Sequence, residues 1–177
     1  AMCHHPAMRR PKGRMPFELW MRCADQIAAA SPRTEVWFSF CGEPLLEPQL
    51  LLKCIRYGRA VGLKSLNVNT NGMLLTADLV KPLLESGVHL VVFGIDGFSK
   101  TSFEKYRVGA VRDTVYQNAE GLLAARDATQ APVAIQVQLI VMKDNEREVE
   151  QYKRYWLERN AVVKVRRQLS WGGKFGT

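Results

Sequence analysis

Short runs of β-branched and aromatic residues alternate along this chain with longer segments of helical periodicity, and that alternation constrains the fold more than any other feature. The strand-like runs are Glu35–Phe40, Ser65–Thr70, His89–Ile95, Val133–Met142 and Val162–Leu169. Helix-periodic segments precede or separate them at Pro16–Ala30, Pro48–Val61, Thr76–Ser86, Asp113–Ala128 and Asn145–Glu158. Thr76 and Asp113 suit N-caps, Pro48 a first helical turn, and Gly62 and Gly87 C-terminal stops. Strands separated by helices of this length predict βαβ units and a parallel sheet. A closed eight-unit barrel takes about 250 residues, whereas this chain has 177. The expectation is an α/β fold: a partial (β/α)6 TIM-like barrel of parallel strands, with a first strand belonging ahead of Cys3 and missing from the chain.

Alternate side chains of a strand point to opposite faces, so each run divides into two sets. One set is apolar: Val36, Phe38 and Phe40, Leu66 and Val68, Val91, Phe93 and Ile95, Val133 to Leu139 at every second position, Val163 and Val165. Helices are expected on that face. The other set holds Ser39, Asn67, Asn69, Asn71, Asp96, Gln136, Gln138, Lys164, Arg166 and Gln168. A small barrel ordinarily fills its interior with Val, Ile and Leu, and burying unpaired polar groups is costly. An inner face of this kind calls for water and a polar ligand, or for an amide network that satisfies itself.

The composition is that of a globular domain, 47% hydrophobic and 24% charged, which excludes a disordered or collagen-like chain. No apolar run approaches the roughly 20 residues of a membrane span, and Arg9, Arg10, Lys12 and Arg14 interrupt any signal-peptide pattern. The net charge of +8 is concentrated at the ends: residues 1–14 carry +4, residues 151–177 carry +6 and residues 15–150 carry −2. Basic ends can attract anions, but no nucleic-acid-binding motif accompanies them, so a nucleic-acid partner is not expected. Cys3, Cys23, Cys41 and Cys54 show no disulfide pattern, and a reducing cytoplasm fits them. Cys23 and Cys54, on apolar helix faces, read as small buried hydrophobes.

Four motifs fall at the expected carboxyl ends of successive strands, where α/β proteins place ligands. They are Cys3-His4-His5-Pro6, Cys41-Gly42-Glu43-Pro44, Asn69-Thr70-Asn71-Gly72 and Gly94-Ile95-Asp96-Gly97, the last followed by Arg107 in Tyr106-Arg107-Val108-Gly109. Arg107 can meet a carboxylate with a two-pronged fork, or be a surface helix arginine. Asp96 is suited to a polar ligand or to a local cap through Ser99. His4 and His5 raise zinc as an alternative, but zinc takes about four ligands, and His89 is the only other histidine.

With these motifs the chain resembles the radical S-adenosylmethionine (radical SAM) superfamily, in particular its SPASM-type, peptide-modifying branch. The stretches that carry the resemblance are MCHHPAMRRPKGRMPFELW, WFSFCGEPLLEP, LNVNTNGMLL, VVFGIDGFSKTSFEKYRVG and VKVRRQLSWGGK, and they span essentially the whole chain. The resemblance implies a 4Fe-4S cluster on a CxxxCxxC loop, with Cys3 at the position of the last cysteine, and SAM chelated to the open iron. It implies that Gly42 and Glu43 take the SAM amino group, with Pro44 fixing the turn, Arg107 the carboxylate, Asn71 and Asp96 the ribose, and Ile140 and Val141 the adenine.

The implied activity is reductive cleavage of SAM to a 5′-deoxyadenosyl radical that abstracts hydrogen from a small-molecule or peptide substrate. Flavodoxin or ferredoxin would donate the electron, and Gln136, Gln138, Lys164, Arg166 and Gln168 would face the substrate. Three departures stand out. Cys41 replaces the first glycine of the GGE-type motif, Gly94 replaces a frequent serine, and only Ala1 and Met2 precede Cys3. The last implies that residues 1–177 are one incomplete core domain, truncated at both ends and unable alone to hold the cluster. The rival is a degenerate, non-catalytic barrel module that binds an anionic partner through its basic ends.

Overall fold

An apolar side chain at every second strand position leaves one face that must be withdrawn from water, and the strands bury it together. The computed structural model describes residues 9, 11, 13–39 and 42–167. Its elements run α1 (Phe17–Ala30), β1 (Glu35–Trp37), α2 (Pro48–Ala60), β2 (Ser65–Thr70), α3 (Ala77–Leu84), β3 (Leu90–Gly94), α4 (Lys100–Tyr106), α5 (Arg112–Thr129), β4 (Ala134–Val141), α6 (Val149–Leu157) and β5 (Val162–Arg167). Among the described residues, five strands form one sheet in the order β1-β2-β3-β4-β5, and every neighbouring pair is parallel. This is the expected α/β architecture of a partial TIM-like barrel.

The register lines up the two sets of side chains. Val68 lies beside Val91 and Val91 beside Ile135, and all three are fully buried with Leu66, Phe93, Val137 and Leu139. Helices cover that face: Trp20 of α1 meets the Phe38 ring edge-on at 5.0 Å, and its indole N–H donates to the Cys54 carbonyl at 2.9 Å. Cys54 is itself in this core, where burial pushes its thiol above the ordinary value. Cys23 packs against it half-buried. Tyr116, Tyr152, Tyr155 and Trp156 join α5 to α6 in a continuous aromatic cluster. The opposite face stays polar: Gly94 neighbours Gln138, Gln138 neighbours Lys164, and Ile140 neighbours Arg166.

Several local expectations are corrected. β1 ends at Trp37 rather than Phe40, yet pairing continues through the Ser39 hydroxyl, which accepts from the Asn69 N–H at 3.1 Å. Thr76 occupies the N-cap of α3 without a side-chain bond. Asp113 lies inside the first turn of α5, whose N-cap is Val111. α6 begins at Val149, after a 3-10 turn at Glu146–Glu148, because Asn145 is drawn into the loop before it. The short helix α4 is not among the helix-periodic segments of the sequence, since its residues carry no clear helical period.

Gly72 shows what the turn after β2 demands. Its φ of +78° is left-handed, and an added Cβ would meet Phe93 at 2.9 Å and Val115 at 3.1 Å. Gly72→Ala should therefore lower the unfolding free energy by about 2–4 kcal/mol, combining backbone strain with overpacking. Urea denaturation measures it; an unchanged midpoint would contradict this packing.

Candidate cofactor-binding site

Two side-chain stations occupy the carboxyl ends of the strands. The first is built on Glu43. Gly42 turns the chain with a φ of +116°, and Pro44 then opens a 3-10 turn, Pro44–Leu46, with Glu43 as its N-cap. Glu43 Oε1 accepts from the Thr70 hydroxyl at 2.7 Å and from the Leu45 N–H at 3.1 Å, while Oε2 accepts from the Asn71 N–H at 2.8 Å. Thr70 Oγ1 accepts from the Gly72 N–H, and Asn71 Oδ1 from the Met73 N–H. A single half-buried carboxylate thus joins the ends of β1 and β2. Oε2, with one donor among the described residues, retains capacity for an ammonium group.

The second station is built on Asp96, which is fully buried. Its Oδ1 accepts from the Ile140 N–H at 2.8 Å. Its Oδ2 takes both Arg107 Nε at 2.7 Å and Arg107 Nη2 at 2.6 Å. The Arg107 side chain keeps 28% exposure, so part of the guanidinium remains reachable after two of its N–H groups are committed. Arg107 is the C-cap of α4; its position is further fixed by Lys105 and Tyr106, which both donate to Asp144 Oδ2. The cap of the segment after Asp96 is Ser99, not Asp96: its hydroxyl accepts from the Ser102 N–H at 3.2 Å.

Two residues of this station escape sequence reasoning. Asn145 is fully buried, donates to the carbonyls of Asp96 and Ile140, and accepts from the Met142 N–H. Glu148 accepts from the Phe98 and Ser99 N–H groups and from the Ser99 and Ser102 hydroxyls. In sequence, Asn145 and Glu148 have the spacing of a capping box for the helix that follows. Both turn instead to the β3–α4 turn, and no local signal distinguishes the two outcomes.

Of the remaining candidates, Val141 closes β4 half-buried, Gln136 and Gln138 are half-buried, and Lys164 and Arg166 are exposed on β5. On the polar face Asn67 is 1% exposed, and its Oδ1 has no partner among the described residues. Cys3, His4, His5, Cys41 and Gln168 lie outside the described residues. No group of three or more His, Cys, Asp or Glu able to hold a metal occurs among the described residues.

The model of the radical SAM superfamily matches residues 1–155. The chain belongs to the radical SAM superfamily. A tungsten-containing aldehyde ferredoxin oxidoreductase cofactor-modifying protein from Pyrococcus furiosus is 28% identical over 159 residues, covering 88% of this chain and 44% of that protein. A GTP 3′,8-cyclase from Thermodesulfovibrio yellowstonii is 32% identical over 113 residues, covering 63% of this chain and 33% of the cyclase. The chain thus spans less than half the length of these curated relatives. Among solved structures, Streptococcus suis SuiB bound to S-adenosylmethionine superposes with a TM-score of 0.73 at 14% identity, over 93% of this chain and 36% of SuiB. SuiB bound to its precursor peptide SuiA gives 0.70 at 16% identity, over 94% of this chain and 35% of SuiB. These likenesses support the radical SAM fold, a partial barrel.

Glu148 generates a pH prediction. Burial raises its carboxyl, but hydrogen bonds from Ser102, Ser99 and the Phe98 and Ser99 N–H groups outweigh that and hold it below its ordinary 4.5. A depressed folded-state value contributes stability that is full above pH 4.5 and is lost as pH falls through the folded value. Glu148→Gln should lower stability at neutral pH and flatten the acid limb of a pH–stability curve. Parallel curves for the two proteins would contradict the assignment.

Proposed function

We propose that residues 1–177 are the core of a radical SAM enzyme, with SAM held across the two stations and a 4Fe-4S cluster on a loop ending at Cys3. The observation that carries this reading is the pairing of opposite recognition chemistries at the strand ends. Glu43 offers a carboxylate above β1 and β2, and Arg107 offers guanidinium N–H groups above β3 and β4. A methionyl moiety carries the matching ammonium and carboxylate. Charge-assisted hydrogen bonds of this kind are about twice as strong as neutral ones. The donor set therefore fits SAM, and the unpartnered Asn67 Oδ1 fits an inner face that expects polar company.

Within that reading each residue has a task. Gly42 and Pro44 set the turn that presents Glu43, and Asn71 meets the ribose. Asp96 acts through Arg107, holding the fork in place, while Ile140 and Val141 pack the adenine. When bound, the cluster and SAM supply the hydrogen-abstracting 5′-deoxyadenosyl radical, the chemistry a cofactor contributes and a side chain does not. The chain's own part is to orient the two charged ends and keep water from the inner face. Gln136, Gln138, Lys164, Arg166 and Gln168 face the substrate. A peptide substrate fits the precursor-peptide complex of SuiB, and a small molecule fits the GTP 3′,8-cyclase. The electron comes from a flavodoxin or ferredoxin, and the work is done in a reducing cytoplasm. No helix among the described residues is long and apolar enough to cross a membrane.

The test is affinity for SAM in the anaerobically reconstituted full-length protein, of which residues 1–177 are the proposed core. Glu43→Gln and Arg107→Lys should each weaken it by about tenfold or more, since a hydrogen bond to a charged group contributes about 1.5–3 kcal/mol and an ammonium cannot reproduce the fork. Both variants should keep the cluster absorbance, whereas Cys3→Ala should lose it. Unchanged affinity in a folded Arg107→Lys protein would confine Arg107 to its structural pair with Asp96.

A further inference from the structure

Main-chain pairing between β3 and β4 stops short of the Arg107 station. The last such bond among the described residues runs from the Ile95 N–H to the Gln138 carbonyl at 2.9 Å. Beyond it two side chains close the seam. Asp96 Oδ1 accepts from the Ile140 N–H at 2.8 Å. Asn145 Nδ2 donates to the Asp96 carbonyl at 3.1 Å and to the Ile140 carbonyl at 2.9 Å, while its Oδ1 accepts from the Met142 N–H at 2.7 Å. Asn145 is fully buried, and an amide supplies the two donors and one acceptor that these groups need. A carboxylate of the same shape would set oxygen against two carbonyl oxygens.

The two strands depend on this bridge unequally. β4 is held on its other side by β5, in register as far as Val141 and Arg167. The pairing of β3 with β2 ends at Phe93 and Thr70, so at Asp96 the chain has left the ladder on both sides. Loss of the Asn145 amide therefore frees Asp96 and leaves Ile140 and Val141 in place.

We propose that Asn145 is a positioning residue of this site: its buried amide fixes the backbone of Asp96 and, through the Asp96 carboxylate, the Arg107 fork that meets the ligand. The ligand contact is with the carboxylate of the methionyl moiety, and that part rests on the SAM-binding role proposed above for Arg107. The placement of Asp96 stands independently of it.

The first measurement uses the full-length protein without cofactor and follows residue-resolved amide hydrogen exchange at Ile140. Asn145 touches the Ile140 carbonyl but not its N–H, which Asp96 holds. Asn145→Ala should speed exchange of that N–H by about tenfold or more as the Asp96 carboxylate leaves its place, with exchange from Ile135 to Leu139 unchanged. No change at Ile140, or an equal rise along all of β4, would overturn the proposal.

The second measurement is SAM affinity of the anaerobically reconstituted full-length protein, as a double-mutant cycle. Asn145→Ala should weaken binding by about tenfold or more in the wild type, the loss of one charge-assisted contact. In the Arg107→Lys background it should alter affinity by no more than about twofold. Equal weakening in both backgrounds, the mark of a merely structural role, or none in either, would overturn the proposal. A wild type that bound no SAM would instead sink the cofactor reading, and exchange at Ile140 would still decide the role of Asn145. If Asn145→Ala did not fold, Asn145→Ser would take its place with the same expected outcomes, since one hydroxyl donor cannot serve both carbonyls.

Discussion

The buried charge of Asp96 organises the carboxyl ends of β3 and β4. A carboxylate at 0% exposure must be matched by donors within the protein, because desolvating an unpaired ion costs several kcal/mol. Here the match comes from Arg107 on one oxygen and the Ile140 N–H on the other. Meeting that demand dictates much of the surrounding chain. α4 has to end where Arg107 can reach back to Asp96, and Glu148 and Ser99 fix where it begins. Asn145 ties the end of β4 to the Asp96 carbonyl.

The same pair connects stability with the proposed recognition. An arginine already held by two bonds to Asp96 loses little further freedom when it meets an anion, and that preorganisation favours binding. Glu43 is held in the same manner by Thr70, Leu45 and Asn71. Between the two stations runs the polar face of the sheet, which an ordinary barrel would pack with aliphatic side chains. The main apolar cluster lies on the helix side, and in the proposed reading the polar inner face is left for ligand.

Much of this was legible in the sequence. Alternation of Val91, Phe93 and Ile95 with Val92, Gly94 and Asp96, and the same pattern in β2 and β4, separates the helix face from the opposite, more polar face. The motif positions Glu43, Asn71 and Asp96 could be read because each comes soon after a strand, whereas Arg107 lies at the end of α4 and was reached through its motif. What escaped depends on contacts far apart in the chain. Glu148 meets Ser99 across 49 residues and Asn145 meets Asp96 across 49, and both resemble ordinary helix-start residues.

The most direct test of the central claim is a crystal structure of the anaerobically reconstituted full-length protein with S-adenosylmethionine bound. The methionyl carboxylate should accept hydrogen bonds from Arg107 while Arg107 still holds Asp96 Oδ2, and the ammonium should lie within hydrogen-bond distance of Glu43. A cofactor bound with its carboxylate on Lys164 or Arg166, and Arg107 engaged by Asp96 alone, would contradict the account.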